Sequence, residues 1–205
     1  CKAERIMDKA VKEYGNLYTQ WKFNGESLTS YYPTGNWQKK HQEMTAHGQT
    51  HIMNVHVLAN LEPFRFAAPG FIQKCMQAGM HRLGTNGIHL YPLFFWDWPY
   101  SADKTSPRLK QIDRDWMWYQ AWMRYAWNPD YEETTEKLYW TKELASYFGC
   151  SDQAGAEVLE ALAKNRRVRT QNSAPHRYHR RKPPDYGSWH DHERADQCEE
   201  IPSQL

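Results

Sequence analysis

The chain has 205 residues, enough for one domain of ordinary size with a sizeable hydrophobic core. It carries 10 Trp, 13 Tyr and 7 Phe, an aromatic content typical of ring-stacking ligand sites or of a large core. The net charge of +2 arises within residues 165–205, where eight Lys and Arg accompany six Asp and Glu. Because the body is neutral and no run is long enough to span a membrane, we expect neither a nucleic-acid partner nor a membrane partner.

The first fifty residues predict two helices separated by an aromatic loop. Apolar residues at helical spacing predict an amphipathic helix over Lys2–Tyr14, ending at Gly15. Residues 16–35 show no clear period and predict a long loop, in which Glu26 is either a functional carboxylate or a solvated side chain. A short helix is predicted over Asn36–His47. Because the chain opens within a charged helix and lacks an initiator Met, we interpret it as the C-terminal fragment of a longer protein.

The centre of the sequence predicts a βαβ unit. The segment His51–Asn60 is a strand candidate, residues 69–84 predict a helix that starts at Pro and ends at Gly, and Ile88–Phe95 predicts a second strand. A βαβ unit pairs its strands in parallel, so the carboxyl ends of both strands meet at one edge of the sheet. We therefore expect Glu62 and Asp97, which follow the two strands, to lie at the same edge.

The second of these strands runs into the string Trp-Asp-Trp-Pro-Tyr at residues 96–100. A carboxylate among large flat rings is the chemistry of a sugar site, because rings cover the apolar faces of a pyranose and carboxylates handle hydroxyls and protons. Asp103 and Lys104 follow in the same loop. The alternative interpretation is a loop whose tryptophans cap a hydrophobic core. The position at the carboxyl end of a strand favours the functional interpretation.

Helices are predicted after this loop. Residues 108–127, 131–148 and 151–164 have helical apolar spacing, and Gly149 is the predicted C-terminal cap between the last two. The first of these helices carries aromatic residues on more than one face, which predicts burial. Three of them are expected in the core: Trp116, Trp118 and Trp122.

Residues 165–205 do not continue this pattern. Their branched aliphatic residues are limited to Val168, Ile201 and Leu205, while Arg, His and Pro dominate, which is typical of a disordered tail. A second hypothesis is a frameshifted translation, because the codons allowed for this segment, read one base later, permit a sequence with helical apolar spacing. The spacing of its His and Cys residues matches no zinc pattern, so we predict no metal site.

Four strings resemble polysaccharide-degrading glycoside hydrolases of the α-glucuronidase-like type: N-L-E-P-F-R, H-L-Y-P-L-F-F-W-D-W-P-Y-S-A-D-K, D-R-D-W-M-W and R-Y-A-W-N-P-D. The resemblance implies an α/β fold, a (β/α)8 (TIM) barrel with its site at the C-terminal face, followed by an α-helical domain. It also implies a periplasmic or secreted parent acting on uronic-acid-bearing plant or algal polysaccharides without a cofactor. A full barrel needs about 250 residues. We therefore assign residues 1–107 to the C-terminal part of a barrel, 108–164 to helices that close it and begin a helical domain, and 165–205 to the tail.

Position at strand ends predicts the catalytic roles. Glu62 is the candidate general acid, Asp97 the second carboxylate that activates water or attacks the anomeric carbon, and Glu26 the reserve for either role. Arg65 and Lys104 are expected to pair with a substrate carboxylate, or else to form salt bridges within the protein. The remaining substrate contacts are predicted at Trp96, Trp98, Tyr100 and Asp103.

Two hypotheses from other classes stay open at this stage. The first is a non-catalytic carbohydrate-binding protein that uses aromatic platforms and keeps its carboxylates as hydrogen-bond acceptors. The second is nucleic-acid binding through the basic tail, which the neutral body does not support. His89 lies within a predicted strand, where a histidine is more often a core residue than a catalyst.

Overall fold

The computed structural model describes residues 2–15, 17–22, 31, 43, 50–55, 68–90, 97–101, 103 and 105–172. In these ranges the strands are β1 (Tyr18–Lys22), β2 (Thr50–Val55) and β3 (Gly87–Leu90). The helices are α1 (Lys2–Tyr14), α2 (Pro69–His81), α3 (Gln111–Arg114), α4 (Trp116–Trp127), α5 (Glu133–Phe148) and α6 (Asp152–Asn172). The predicted helix over residues 36–47 lies outside the described residues, apart from Glu43. No helix within the described ranges is long and apolar enough to cross a membrane.

The described strands form one parallel sheet in the order β1-β2-β3. The parallel pairing of β2 with β3 confirms the predicted βαβ unit. In its register Val55 faces Leu90 across the two strands, so their carboxyl ends lie at one edge. The predicted strand residues 56–60 and 91–95 lie outside the described residues. The expectation of an unbroken loop over residues 16–35 was wrong, because β1 occupies its start and pairs with β2.

Helix α2 packs against one face of this sheet. Its Pro occupies the first helical turn, where the missing N–H costs no hydrogen bond. Phe71, Ile72 and Met76 of α2 are buried with Met53 of β2 in one core cluster. A Cβ on Gly79 would lie 3.0 Å from Met53 Sδ, so the absence of a side chain lets the helix approach the strand. The helix ends at His81, three residues before the predicted end.

The predicted helix over residues 108–127 is two helices, α3 and α4, that meet at the buried Asp115. The expectation of buried tryptophans is confirmed for Trp118 and Trp122, which are 1% and 0% exposed. Trp116 is partly buried against the core and stacks on Tyr147 of α5, with ring centroids 4.7 Å apart.

Helices α5 and α6 form a closely packed pair joined by a tight turn. Gly149 ends α5 with a φ of 62°, as the predicted C-terminal cap requires. A Cβ on Gly155 of α6 would lie 2.5 Å from the Thr141 carbonyl oxygen, so the two backbones nearly touch. Helix α6 runs to Asn172, beyond the predicted end at residue 164. Most of the predicted tail, residues 173–205, lies outside the described residues.

Candidate functional site

Residues 97–110 form a loop that folds back on itself before α3. Tyr100 and Lys110 make an isolated antiparallel bridge across it. Gln111, the first residue of α3, is fully buried and anchors the loop through two hydrogen bonds. Its backbone N–H donates to the Pro99 carbonyl at 2.9 Å and its side-chain amide donates to the Tyr100 carbonyl at 2.8 Å. The first residue of α3 thus fixes the position of Pro99 and Tyr100 in the loop.

The open side of this loop carries an ion pair next to an aromatic ring. Asp97 Oδ2 accepts a hydrogen bond from Arg108 Nη2 at 2.7 Å, and both side chains are nearly half exposed. The Arg108 guanidinium lies 5.1 Å from the centre of the Tyr100 ring, a cation–π distance. Trp98 and Tyr100 are 51% and 40% exposed. Two open rings beside a carboxylate and a guanidinium can cover an apolar sugar face while accepting from, and donating to, its polar groups.

A second ion-pair cluster anchors the loop to α3. The Arg114 side chain is 3% exposed and makes an ion pair with Asp103 of the loop and another, at 3.3 Å, with Asp115. Asp103 is 22% exposed, and its backbone N–H donates to Ser101 Oγ at 3.3 Å. Asp103 is therefore held by the protein itself, and its predicted contact with substrate stays a prediction.

The structure brings four of the predicted site residues together on the 97–110 loop: Asp97, Trp98, Tyr100 and Asp103. The other five lie outside the described residues: Glu26, Glu62, Arg65, Trp96 and Lys104. Arg108 was not among the predicted site residues, because the sequence pattern placed it at the start of a helix. Prolines near both ends of the segment between residues 97 and 111 indicate a closed loop. Because closing this loop brings a basic side chain opposite the carboxylate, the pattern could have predicted Arg108.

A second group of polar residues lies at a cavity of about 700 Å³ between α2 and the helices that follow the loop. Glu136 is 3% exposed and accepts from Arg124 Nη2 at 2.7 Å, from Arg124 Nε at 2.9 Å and from the Tyr125 hydroxyl at 2.8 Å. Trp140 Nε1 donates to the same hydroxyl at 2.7 Å. Because both carboxylate oxygens are already bound, this group joins helices rather than offering a reactive carboxylate.

The electrostatics of this buried group agree with that role. Burial alone would raise the pKa of the Glu136 carboxyl, but the hydrogen bonds from Arg124 and Tyr125 outweigh it and hold the pKa below its ordinary value. Burial and the bond to Glu136 raise the pKa of Tyr125, which keeps its hydroxyl a donor. The bond to Glu136 also raises the pKa of Arg124. Across the described part of the chain, no group of His, Cys, Asp or Glu could hold a metal ion.

Comparison with solved structures gives a strong likeness to an enzyme. A solved structure described as a GH138 enzyme targeting pectin rhamnogalacturonan II is 42% identical to this chain, with a TM-score of 0.76. The alignment covers 82% of this chain and 20% of that enzyme, so this chain spans about one fifth of that enzyme's length. No family model matches the sequence. No curated protein matches it either.

Proposed function

We propose that this chain is part of a glycoside hydrolase that acts on pectic polysaccharides. The observation that carries the proposal is the 42% identity, at a TM-score of 0.76, to the GH138 enzyme targeting rhamnogalacturonan II. The parallel sheet supports the further proposal that this part belongs to a (β/α)8 barrel, whose ligands bind at the carboxyl ends of parallel strands. The four strings resemble enzymes of the α-glucuronidase-like type. We therefore also propose that the sugar is a uronic acid.

The proposed chemistry uses two carboxylates on opposite sides of the glycosidic bond. Glu62 gives a proton to the leaving oxygen, and Asp97 activates water or attacks the anomeric carbon, with Glu26 in reserve for either role. The ion pair with Arg108 supports this assignment of Asp97, because it holds the carboxylate in place at the open side of the loop.

Substrate binding is proposed at the open side of the 97–110 loop. Trp98 and Tyr100 offer exposed rings to a pyranose, and Trp96 would extend the same platform. Arg108 is the cation that we now place nearest a substrate carboxylate, since its guanidinium is nearly half exposed and already oriented by Asp97. Arg65, Lys104 and Asp103 stay in the proposal as further contacts.

The test compares the protein that carries this chain with its Asp97→Asn and Glu62→Gln variants on purified rhamnogalacturonan II. Reducing ends released over time report turnover, and calorimetric titration reports binding. We expect turnover to fall at least about a hundredfold in each variant, as for loss of an acid–base group, while binding changes little. The matched control is Asp130→Asn, because Asp130 is also exposed and its carboxylate is also bound by a side chain, His81 Nε2 at 2.9 Å.

The Asp97–Arg108 pair also suits a second function, a carbohydrate-binding module without catalysis. A paired carboxylate is a good acceptor for sugar hydroxyls and has little need to react. In that case the unchanged protein binds the polysaccharide without releasing reducing ends, and Asp97→Asn weakens binding. Absence of both binding and turnover in the unchanged protein would reject both functions.

A further inference from the structure

Helix α4 carries apolar side chains on the side turned away from the core as well as on its buried side. Trp118 and Trp122 are buried. Trp116, Met123 and Trp127 are spaced by seven and four residues, so they lie within about 40° of one another on the opposite side of the helix. Met123 is 60% exposed and Trp127 is 87% exposed. The packing of this chain therefore leaves a second apolar side of α4 open to solvent.

This apolar surface continues from α4 onto the end of α5. The Tyr147 ring stacks on Trp116 with centroids 4.7 Å apart, and the Phe148 ring lies edge-on to Tyr147 at 5.0 Å. Tyr147 and Phe148 are 53% and 58% exposed. Trp116 thus connects the side chains of the two helices. We call the five residues the outer apolar face: Trp116, Met123, Trp127, Tyr147 and Phe148.

The chemistry of the outer apolar face favours a protein contact over a sugar contact. A sugar platform needs polar side chains beside its rings to bind hydroxyl groups. On the same side of α4, the Gln120 amide donates to the Tyr139 hydroxyl at 2.5 Å and to the Glu143 carboxylate at 3.1 Å, so these polar groups bind one another. Trp, Met, Tyr and Phe are the residues enriched in the core of protein interfaces, and exposed apolar patches mark such contacts.

We propose that the outer apolar face packs against further polypeptide of the same enzyme. The comparison identifies this occupant: the chain aligns with 20% of the GH138 enzyme, so about four fifths of that enzyme have no counterpart here. Trp127 is the expected anchor of the contact, because large aromatic side chains carry much of the energy of an interface. The inference goes beyond the proposed function. It rests on the likeness to a longer enzyme and requires neither the sugar site nor its carboxylates.

The experiment measures methionine oxidation in the protein that carries this chain. The protein is treated with dilute hydrogen peroxide, and peptide mass spectrometry follows each methionine over time. Met117 is the matched reference, because it belongs to the same helix and is 4% exposed. If the outer apolar face is covered, Met123 should oxidise as slowly as Met117, at least about tenfold more slowly than in the same protein unfolded in guanidinium.

A variant tests the contact itself. Trp127→Glu places a charge in the proposed apolar contact, which should separate the two surfaces and raise the oxidation rate of Met123 at least about tenfold. Lys142→Glu is the control, because Lys142 is an exposed charged residue of α5, and it should leave that rate unchanged. The measurement on the unchanged protein needs no variant, so it decides the question even if Trp127→Glu does not fold.

Three results would overturn the inference. Oxidation of Met123 at the unfolded rate in the unchanged protein would mean that solvent reaches the face. Protection that is lost on dilution, together with a change from dimer to monomer in sedimentation, would mean that a second copy covers it. Protection that requires added rhamnogalacturonan II would make the face a sugar platform. Absence of turnover with Met123 protected would reject the proposed function and leave this inference standing.

Discussion

At the scale of single residues, the best-defined interaction is the buried group formed by Glu136, Arg124, Tyr125 and Trp140. Three hydrogen bonds to the Glu136 carboxylate and one from Trp140 Nε1 to the Tyr125 hydroxyl, all between 2.7 and 2.9 Å, join α4 and α5. The Arg124 guanidinium also lies 3.7 Å from the centre of the Tyr139 ring. Removing the charge from Glu136 would leave a largely buried cation and two donors without an acceptor, which is costly in a protein interior.

We therefore predict that Glu136→Gln lowers the free energy of unfolding at pH 7 by about 3 kcal/mol, the lower end for a broken buried pair, because Arg124 stays 22% exposed. The pKa of Glu136 is lowered in the folded protein, so its stabilisation is present above the unfolded value of about 4.3 and is lost as the pH falls through the folded value.

Urea unfolding of both proteins at pH 7 and at pH 3 measures this effect. The difference between unchanged protein and variant should shrink at pH 3. Glu160→Gln is the matched control, since Glu160 pairs with Lys164 on the exposed surface, 2.7 Å apart, and should leave the midpoint unchanged. A difference of the same size at both pH values would contradict the prediction.

At the scale of elements, the backbone contact between α5 and α6 depends on one glycine. We predict that Gly155→Ala lowers the free energy of unfolding by about 1–3 kcal/mol, the usual range for overpacking. The reason is that the new Cβ meets the Thr141 carbonyl oxygen at 2.5 Å and Ala145 N at 3.0 Å, both of them backbone atoms. Thermal unfolding followed by circular dichroism measures the change.

The control for this prediction is Gly70→Ala in the first turn of α2. Among the described residues, no atom outside its own helix turn and chain neighbours lies within 4 Å of the Cβ that it adds, so the substitution should stabilise the helix by about 0.5–1 kcal/mol. Equal effects of the two substitutions would mean that the α5–α6 contact tolerates separation, and the prediction would be wrong.

The strands show which features of the fold could be predicted from the sequence. β2 and β3 were predictable because apolar and β-branched residues run between turn signals. β1 was not, because Tyr18 and Gln20 are exposed on one face and break the apolar pattern. The same Gln20 makes the cross-sheet bond to His89, so the residue that obscures the strand also connects β1 with β3. Local pattern fails here because β1 lacks the apolar residues by which a strand is recognised.

In the candidate site, too, neighbouring sequence predicts some residues, while others depend on contacts between distant residues. Asp97, Trp98 and Tyr100 could be named as candidates because they stand close together in one string after a predicted strand. Arg108 was missed because its distance to Asp97 depends on how the loop closes, which no periodicity records. The break between α3 and α4 at Asp115 was missed for a related reason, since it accompanies an ion pair with Arg114.

At the scale of the molecule, the sheet and the helices that follow it share one core. Met53 and Val55 of the sheet belong to the same buried cluster as Trp118 and Trp122 of α4. Gln73 of α2 reinforces this connection, because its side-chain amide donates to the carbonyl of Pro129 at 3.0 Å and to that of Tyr131 at 2.7 Å. The helical segment is therefore part of the support of the sheet.

The sequence of residues 173–205 predicts no contribution to that core, since Ile201 and Leu205 are its sole branched aliphatic residues. We expect a chain that ends at Asn172 to unfold at the same temperature as the 205-residue chain. Thermal unfolding of the two chains in the same buffer tests this. A lower Tm in the shorter chain would show that the tail packs against the domain and would exclude a frameshift artefact.

The contacts that anchor the 97–110 loop determine which of its positions can be substituted without loss of stability. The loop is held by Gln111 and Arg114, two buried side chains that belong to α3. Its outer residues, Thr105 to Arg108, are exposed. Substitutions there should cost little stability, because the anchoring contacts lie elsewhere. Under the proposed function, related enzymes could then differ in the sugars they accept through the outer residues of this loop, while the anchor in α3 stays the same.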